Sequence, residues 1–150
     1  DLNEFEMPIY SEDREQEIGI PEKAHEFKKL VNESIGIIIS LAEHNGSYTS
    51  AFKNIYDWIS VIEKTVWSNK PLILLSTSDG QNAGKTVLQT ALSRFSRESR
   101  EEIPHFSLPK FNENFSDTDG IINTKLIEEL DKQISIFSGQ VDSLLDSGNY

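Results

Sequence analysis

Two short apolar runs constrain the fold more than any other feature: Ile35–Ser40 (IGIIIS) and Leu72–Ser76 (LILLS). Each is uninterrupted, too short for a buried helix, and bounded by polar residues. This is the pattern of a strand buried on both faces. Each run leads into a small, polar loop and then an amphipathic helix. The first helix carries Phe52, Ile55, Tyr56, Ile59 and Ile62 on one face; the second carries Val87, Leu88, Ala91, Leu92 and Phe95. Strand, loop and helix repeated in this way predict an α/β chain, with a parallel sheet covered by helices on both faces. In such folds ligands bind where the carboxyl ends of the strands meet the loops. The loops after Ser40 and Ser76 are therefore the first places to look for function.

The rest of the chain extends this frame. Asp1–Asp13 reads as the end of a strand followed by a loop, and Arg14–Ile20 as further connection. Pro21 suits the first turn of a helix, with Ala24, Phe27, Leu30 and Val31 turned inward and His25 outward. Ile103–Leu108 lies between prolines, as an edge strand tolerates. Lys110–Gly120 is a polar loop. From Ile121 a helix runs with Leu126 (or Ile127), Leu130, Ile134, Phe137, Val141 and Leu144 at spacings of three and four, and Ser147-Gly148-Asn149 forms a tail. The 150 residues suit a single domain, 1–150.

Charge and composition remove several function classes. With 14 basic against 25 acidic residues the net charge is −11, which opposes nucleic acid or an anionic membrane as partner. The absence of cysteine excludes disulfides, thiol catalysis and thiolate metal ligands. No apolar run has the length of a membrane span and no signal peptide is visible, so a cytoplasmic location is expected. Three scattered histidines make no metal site. Ser40, Glu43 and His44 are too close in sequence to form a triad, so no side chain is nominated as catalytic.

One near miss needs separating from the rest. Gly80-Gln81-Asn82-Ala83-Gly84-Lys85-Thr86 follows a buried strand, as a nucleotide P-loop does. That motif needs four residues between its glycines and here there are three; Asp79 stands where the first glycine belongs.

The stretch AEHNGSYTSAFKNIYDWIS carries a resemblance. Glu43, Asn45, Gly46, Ser47, Lys53, Asn54, Asp57 and Trp58 fall in register with the P-E-Y-N…K-N…D-W signature of the NAD(P)H-dependent FMN reductases, a flavodoxin-like group. Ala42 replaces the family's proline and His44 its usual tyrosine. The resemblance implies a doubly wound parallel sheet of order 2-1-3-4-5, of which the readable strands correspond to the end of strand 2 and to strands 3, 4 and 5. The first strand and its Gly-Ser-x-Arg-x-x-Ser phosphate loop are not found in the sequence, and the expectation is that the domain is N-terminally incomplete there.

By the same resemblance FMN is the cofactor and NAD(P)H the co-substrate. Ala42, Glu43, His44, Asn45 and Gly46 line the flavin ring, and Ser76, Ser78, Gly80 and Gly84 lie near it. Electrons pass to a small-molecule acceptor such as a quinone, an azo compound or free flavin, and the helix over residues 50–61, with Tyr56 and Trp58, packs against a mate in a homodimer or homotetramer. Taken alone, the residues leave other roles open. The 42–47 loop could be a plain strand-to-helix connection whose Ser and Thr cap the helix. Lys53 and Asp57 could pair on the helix surface, and Trp58 could be core. The rival function is a flavin-binding electron carrier or interaction module without NAD(P)H turnover of its own.

Overall fold

The computed structural model describes residues 1–148. They form two compact units, one of Asp1–Ser34 with Tyr48–Asn69, the other of Ile35–Ser47 with the chain from Lys70 onward.

In the first unit a 3-10 turn, Leu2–Phe5, replaces the strand end expected at Asp1-Leu2. Helix α1 (Glu12–Ile18) occupies much of what reads as connection. It buries no residue, so periodicity cannot reveal it. Local chemistry builds it: the Ser11 side chain accepts from the Arg14 amide, and Glu12, Asp13 and Glu15 place negative charge at the positive end of the helix.

Helix α2 (Glu22–Glu33) buries Ala24, Lys28 and Val31, while the expected Leu30 points outward. Lys28 is only 3 % exposed. Its ammonium donates to the Thr65 carbonyl (3.1 Å), the Val66 carbonyl (2.8 Å) and Ser68 Oγ (2.8 Å). It also pairs with Glu63 at 2.9 Å. Three hydrogen bonds and a carboxylate satisfy the buried charge, which is what makes its burial tolerable. Ser68 and Asn69 both have positive φ (54° and 55°), and Lys28 together with Asn32 holds Ser68 in that conformation.

Helix α3 (Ser50–Ile62) begins at Thr49, whose hydroxyl accepts from the Phe52 amide. It buries Ile55, Tyr56, Trp58 and Ile59. Trp58 is fully enclosed within the protomer, and Tyr56 nearly so. Neither can therefore supply the intersubunit surface expected of them. Instead, Trp58 Nε1 donates to the Pro8 carbonyl at 2.7 Å, and its ring meets Tyr10 edge-on with centroids 5.0 Å apart. Asn54 completes the attachment. Its amide donates to the carbonyls of Met7 and Pro8, both at 3.1 Å, and its carbonyl accepts from the Tyr10 amide at 2.8 Å.

The second unit is built on a parallel sheet. Strands β1 (Ile37–Leu41) and β4 (Leu72–Thr77) pair with Ile37 opposite Leu72 and Leu41 opposite Ser76. Strand β5 (His105–Leu108) lies on the other side of β4, also parallel, giving the order β1-β4-β5. The expectation of adjacent parallel strands holds. Burial on both faces holds for β4, where Leu72, Ile73, Leu74 and Ser76 are all inside. It fails for β1: Ile39 and Leu41 are buried, but Ile38 is 65 % exposed. Side chains alternate between faces, so Ile38 and Ser40 share the open face of β1 while Ile39 and Leu41 lie on the covered one.

Between β1 and β4 come two short paired strands, β2 (Glu43–His44) and β3 (Ser47–Tyr48). Helix α4 (Lys85–Phe95) buries Val87, Leu88, Ala91 and Phe95, as its pattern predicts. The expected polar loop after Lys110 contains a helical turn, α5 (Phe111–Asn114), and an antiparallel pair, β6 (Phe115–Ser116) with β7 (Gly120–Ile121). Helix α6 (Thr124–Ser147) starts at Asn123 and half-buries Leu126, Leu130, Phe137, Val141 and Leu144. It lies so close to β1 that a Cβ on Gly36 would meet Phe137 and Val141 at 2.8 Å. The helix runs through Ser147 and caps at Gly148; Asn149 of the expected tail lies outside the described residues.

Two outcomes test the polar anchors of the first unit. Lys28→Ala leaves the Thr65 and Val66 carbonyls without their donor and should lower stability by about 2 kcal/mol, read by urea denaturation. Asn54→Ala should release the 7–10 segment, raising amide exchange at Tyr10 and costing about 1 kcal/mol.

Candidate functional site

The three parallel strands of the second unit end side by side, so the loops that follow them gather at one edge of the sheet. The 42–47 loop leaves β1, the 78–84 loop leaves β4, and the 109–111 segment leaves β5.

The first loop is a tight hairpin turn. Asn45 (φ 52°) and Gly46 (φ 74°) supply the two consecutive left-handed residues that a two-residue connection of this hand needs. Ala42, His44, Asn45, Gly46 and Ser47 are all exposed. A Cβ on Gly46 would meet nothing within 4 Å, so it is backbone conformation that favours glycine here. The turn thus presents its backbone outward with open space in front of it. Glu43 is half-buried and behaves differently: its Oε2 accepts from the Val87 amide at 2.9 Å. Thr49, just beyond the hairpin, caps α3 as the plainer reading of this loop expects, while Ser47 does not.

The second loop is braced from behind. Ser76 is 4 % exposed, and its hydroxyl donates to the Ala83 carbonyl at 2.8 Å while sharing a 2.7 Å hydrogen bond with Ser107 Oγ. Gly84 is also buried, with φ 69°, and a Cβ there would stand 3.1 Å from that of Ser76. These two expected site residues therefore lie beneath the loop. Ser78 and Gly80 lie on top, the former half-buried and the latter exposed.

The third segment joins them. The Lys110 amide donates to the Gly80 carbonyl (3.1 Å), the Phe111 amide to the Ser78 carbonyl (3.0 Å), and Thr77 Oγ1 to the Leu108 carbonyl (2.8 Å). Sequence reasoning missed Ser107, Lys110 and Phe111, because their contribution is a backbone bond or a half-buried hydroxyl that no residue pattern encodes. Only the prolines at 104 and 109 mark that the chain changes direction there.

The geometry also answers the P-loop resemblance. Gly84-Lys85-Thr86 does open a helix after a buried strand. A phosphate loop works by aiming free first-turn amides at an anion. Here the Val87 amide already serves the carboxylate of Glu43, and Asn82 Nδ2 bonds Thr86 Oγ1 at 3.2 Å. One first-turn amide that would receive a phosphate is thus taken by the protein's own carboxylate, and the Lys85 amide by the Asn82 carbonyl.

The second half of the signature lies in the first unit. Lys53 and Asp57 form an ion pair at 2.6 Å on the surface of α3. Asn54 and Trp58 hold the 7–10 segment, as described above. Beside that segment is a groove of about 360 Å³, lined by Phe5, Met7, Ile9, Ala51 and Asn54 among others.

Known proteins place the chain in context. The family profile described as NADPH-dependent FMN reductase matches residues 1–122. A 2-hydroxy-1,4-benzoquinone reductase of a Burkholderia species is 33 % identical over 87 residues, covering 57 % of this chain and 46 % of the relative. The quinone reductase of Escherichia coli strain K12 is 28 % identical over 79 residues, 53 % of this chain and 42 % of the relative. The chain thus spans less than half the length of these curated relatives. Among solved structures, FerB, a flavoenzyme NAD(P)H:(acceptor) oxidoreductase from Paracoccus denitrificans, superposes with a TM-score of 0.70 at 19 % identity, covering 92 % of this chain and 76 % of its own. That likeness establishes the fold as flavodoxin-like. The profile match covers well over half the chain and runs through both units, and on that ground the chain belongs to the NADPH-dependent FMN reductase family.

Proposed function

We propose that the protein is an NAD(P)H-dependent FMN oxidoreductase that passes electrons to a small-molecule acceptor, of which a quinone is the first candidate. The observation that carries this reading is the edge of the parallel sheet. There an outward-facing turn at His44–Gly46 stands beside a braced loop at Ser78–Gly80, both at strand carboxyl ends. The quinone reductases of Burkholderia and Escherichia coli and the FerB flavoenzyme support the same class of reaction.

The residues present fit the polar edge of a flavin ring. Backbone groups of His44, Asn45 and Gly46 are exposed and held in a fixed turn, and a Cβ-free position at Gly46 leaves room for close approach. Ala42 and His44 border this turn, and Ser78 and Gly80 supply the second wall. Ser76 and Gly84 act from beneath, keeping that wall in shape. When bound, FMN supplies the redox chemistry itself, taking hydride from NAD(P)H and passing electrons to the acceptor. The chain's own task is to orient the ring and shield it from water, and it requires no acid or base among its side chains.

The reading treats residues 1–150 as one cytoplasmic domain; no helix among the described residues is long and apolar enough to cross a membrane. We also propose a homodimer or homotetramer through the outer face of α3. With Tyr56 and Trp58 inside the protomer, the contact falls to Ala51 and the adjoining groove, beside which Ile9 is 75 % exposed.

Purified full-length protein should bind FMN with quenching of flavin fluorescence and should oxidise NADPH in stopped-flow mixing. Gly46→Val should weaken FMN binding at least tenfold, roughly the loss of one well-made contact, and Ser47→Ala should leave it unchanged. A protein that binds FMN but leaves NADPH unoxidised is an electron carrier instead. For the assembly, Ile9→Asp should convert a dimer or tetramer to monomer in light scattering; a monomeric parent protein at high concentration removes the oligomer.

A further inference from the structure

Glu43 does not stand where a ring-lining side chain should. Its carboxylate turns away from the exposed turn and accepts the Val87 amide in the first turn of α4. We propose that Glu43 is a positioning residue: it clamps the His44–Gly46 turn to the α4 end of the neighbouring loop, and so sets the spacing of the two walls between which the flavin ring lies. The inference rests on the flavin reading above.

The physical case begins with how each wall is held. The 78–84 loop is tied by side chain and backbone to β5 and the segment after it, through Ser76, Ser107, Lys110 and Phe111. The 42–47 turn has a paired two-residue hairpin whose tip residues are exposed. Leu41 lies opposite Ser76 in the sheet, so the two loops leave side by side. Glu43, two residues past Leu41, crosses from the turn to the start of α4, which is itself continuous with the braced loop through Gly84. A carboxylate accepting a first-turn amide is also favoured by the helix dipole, so the clamp is stronger than a neutral bond in the same place. The same contact has a consequence for specificity. It takes a first-turn amide at the anion-accepting end of α4, so a chain that nearly spells a P-loop there should hold no nucleotide phosphate at that helix.

The test compares the unaltered protein with Glu43→Ala and Glu43→Gln. Glutamine keeps an oxygen that can accept the Val87 amide; alanine does not. Three quantities are read: FMN affinity, the visible absorption spectrum of bound flavin, and hydrogen exchange at the Val87 amide without flavin. Glu43→Ala should speed Val87 exchange, weaken FMN binding roughly tenfold, the scale of one charge-assisted hydrogen bond, and shift the flavin bands. Glu43→Gln should restore most of all three. If the alanine variant loses its fold by circular dichroism, Glu43→Asp, which keeps the charge but falls short of Val87, takes its place with the same expectations. Unchanged affinity and spectrum in a folded variant whose Val87 amide exchanges faster overturn the positioning role and leave the flavin reading standing. No FMN binding by the unaltered full-length protein removes the flavin reading, and the positioning role with it.

Discussion

Strand β4 is the element on which the second unit depends. It is paired on both sides in parallel, and it is buried on both faces where β1 is buried on one. A parallel strand cannot be joined to its neighbour by a tight turn, so the chain must cross over through α4 to reach β5. That requirement puts every loop that follows a strand at the same edge. The candidate site is therefore a consequence of strand direction, and its residues come from three separate stretches of sequence because three strands end together.

The walls of that site are made of backbone, and the side chains around them serve mainly to hold backbone in place. Ser76 and Gly84 illustrate this most directly. A buried hydroxyl and a buried left-handed glycine fit against each other beneath the loop, and neither is open to a ligand. A Cβ at Gly84 would press within 3.1 Å of Ser76. Glu43 does the same across the gap between loops, using charge where Ser76 uses a neutral hydroxyl.

The first unit solves its packing with polar groups in places where a wholly apolar core would be simpler. Lys28 replaces the expected leucine contact and gathers two carbonyls, a hydroxyl and a carboxylate around a strained pair of left-handed residues. Asn54 and Trp58 grip the Met7–Tyr10 segment by its carbonyls and an amide. Each of these side chains satisfies backbone groups that the irregular chain leaves without partners, which explains why a recognisable signature can be structural in its second half. It shapes the surface on which Ile9 stands, and places neither Asn54 nor Trp58 in the loops at the sheet edge.

The amino-acid sequence alone determined the class of fold, the two main strands, the helices after them and the loops that leave those strands. Continuous apolar runs and 3.6-residue periodicity are direct records of burial, and the E-H-N-G-S…K-N…D-W spacing survives as a linear pattern. Helix α1 escaped because capping and charge built it without a buried face. The exposure of Ile38 and the burial of Lys28 escaped because each depends on what lies beside it in space, whereas the core reading of Trp58 holds. Tertiary structure alone decided which site residues face outward. His44 to Gly46 and Gly80 do; Ser76 and Gly84 do not, and Glu43 spends its charge on a helix 44 residues away. A hydrogen bond across that separation leaves no trace in residue order, since its partner is a backbone amide that every residue except proline possesses.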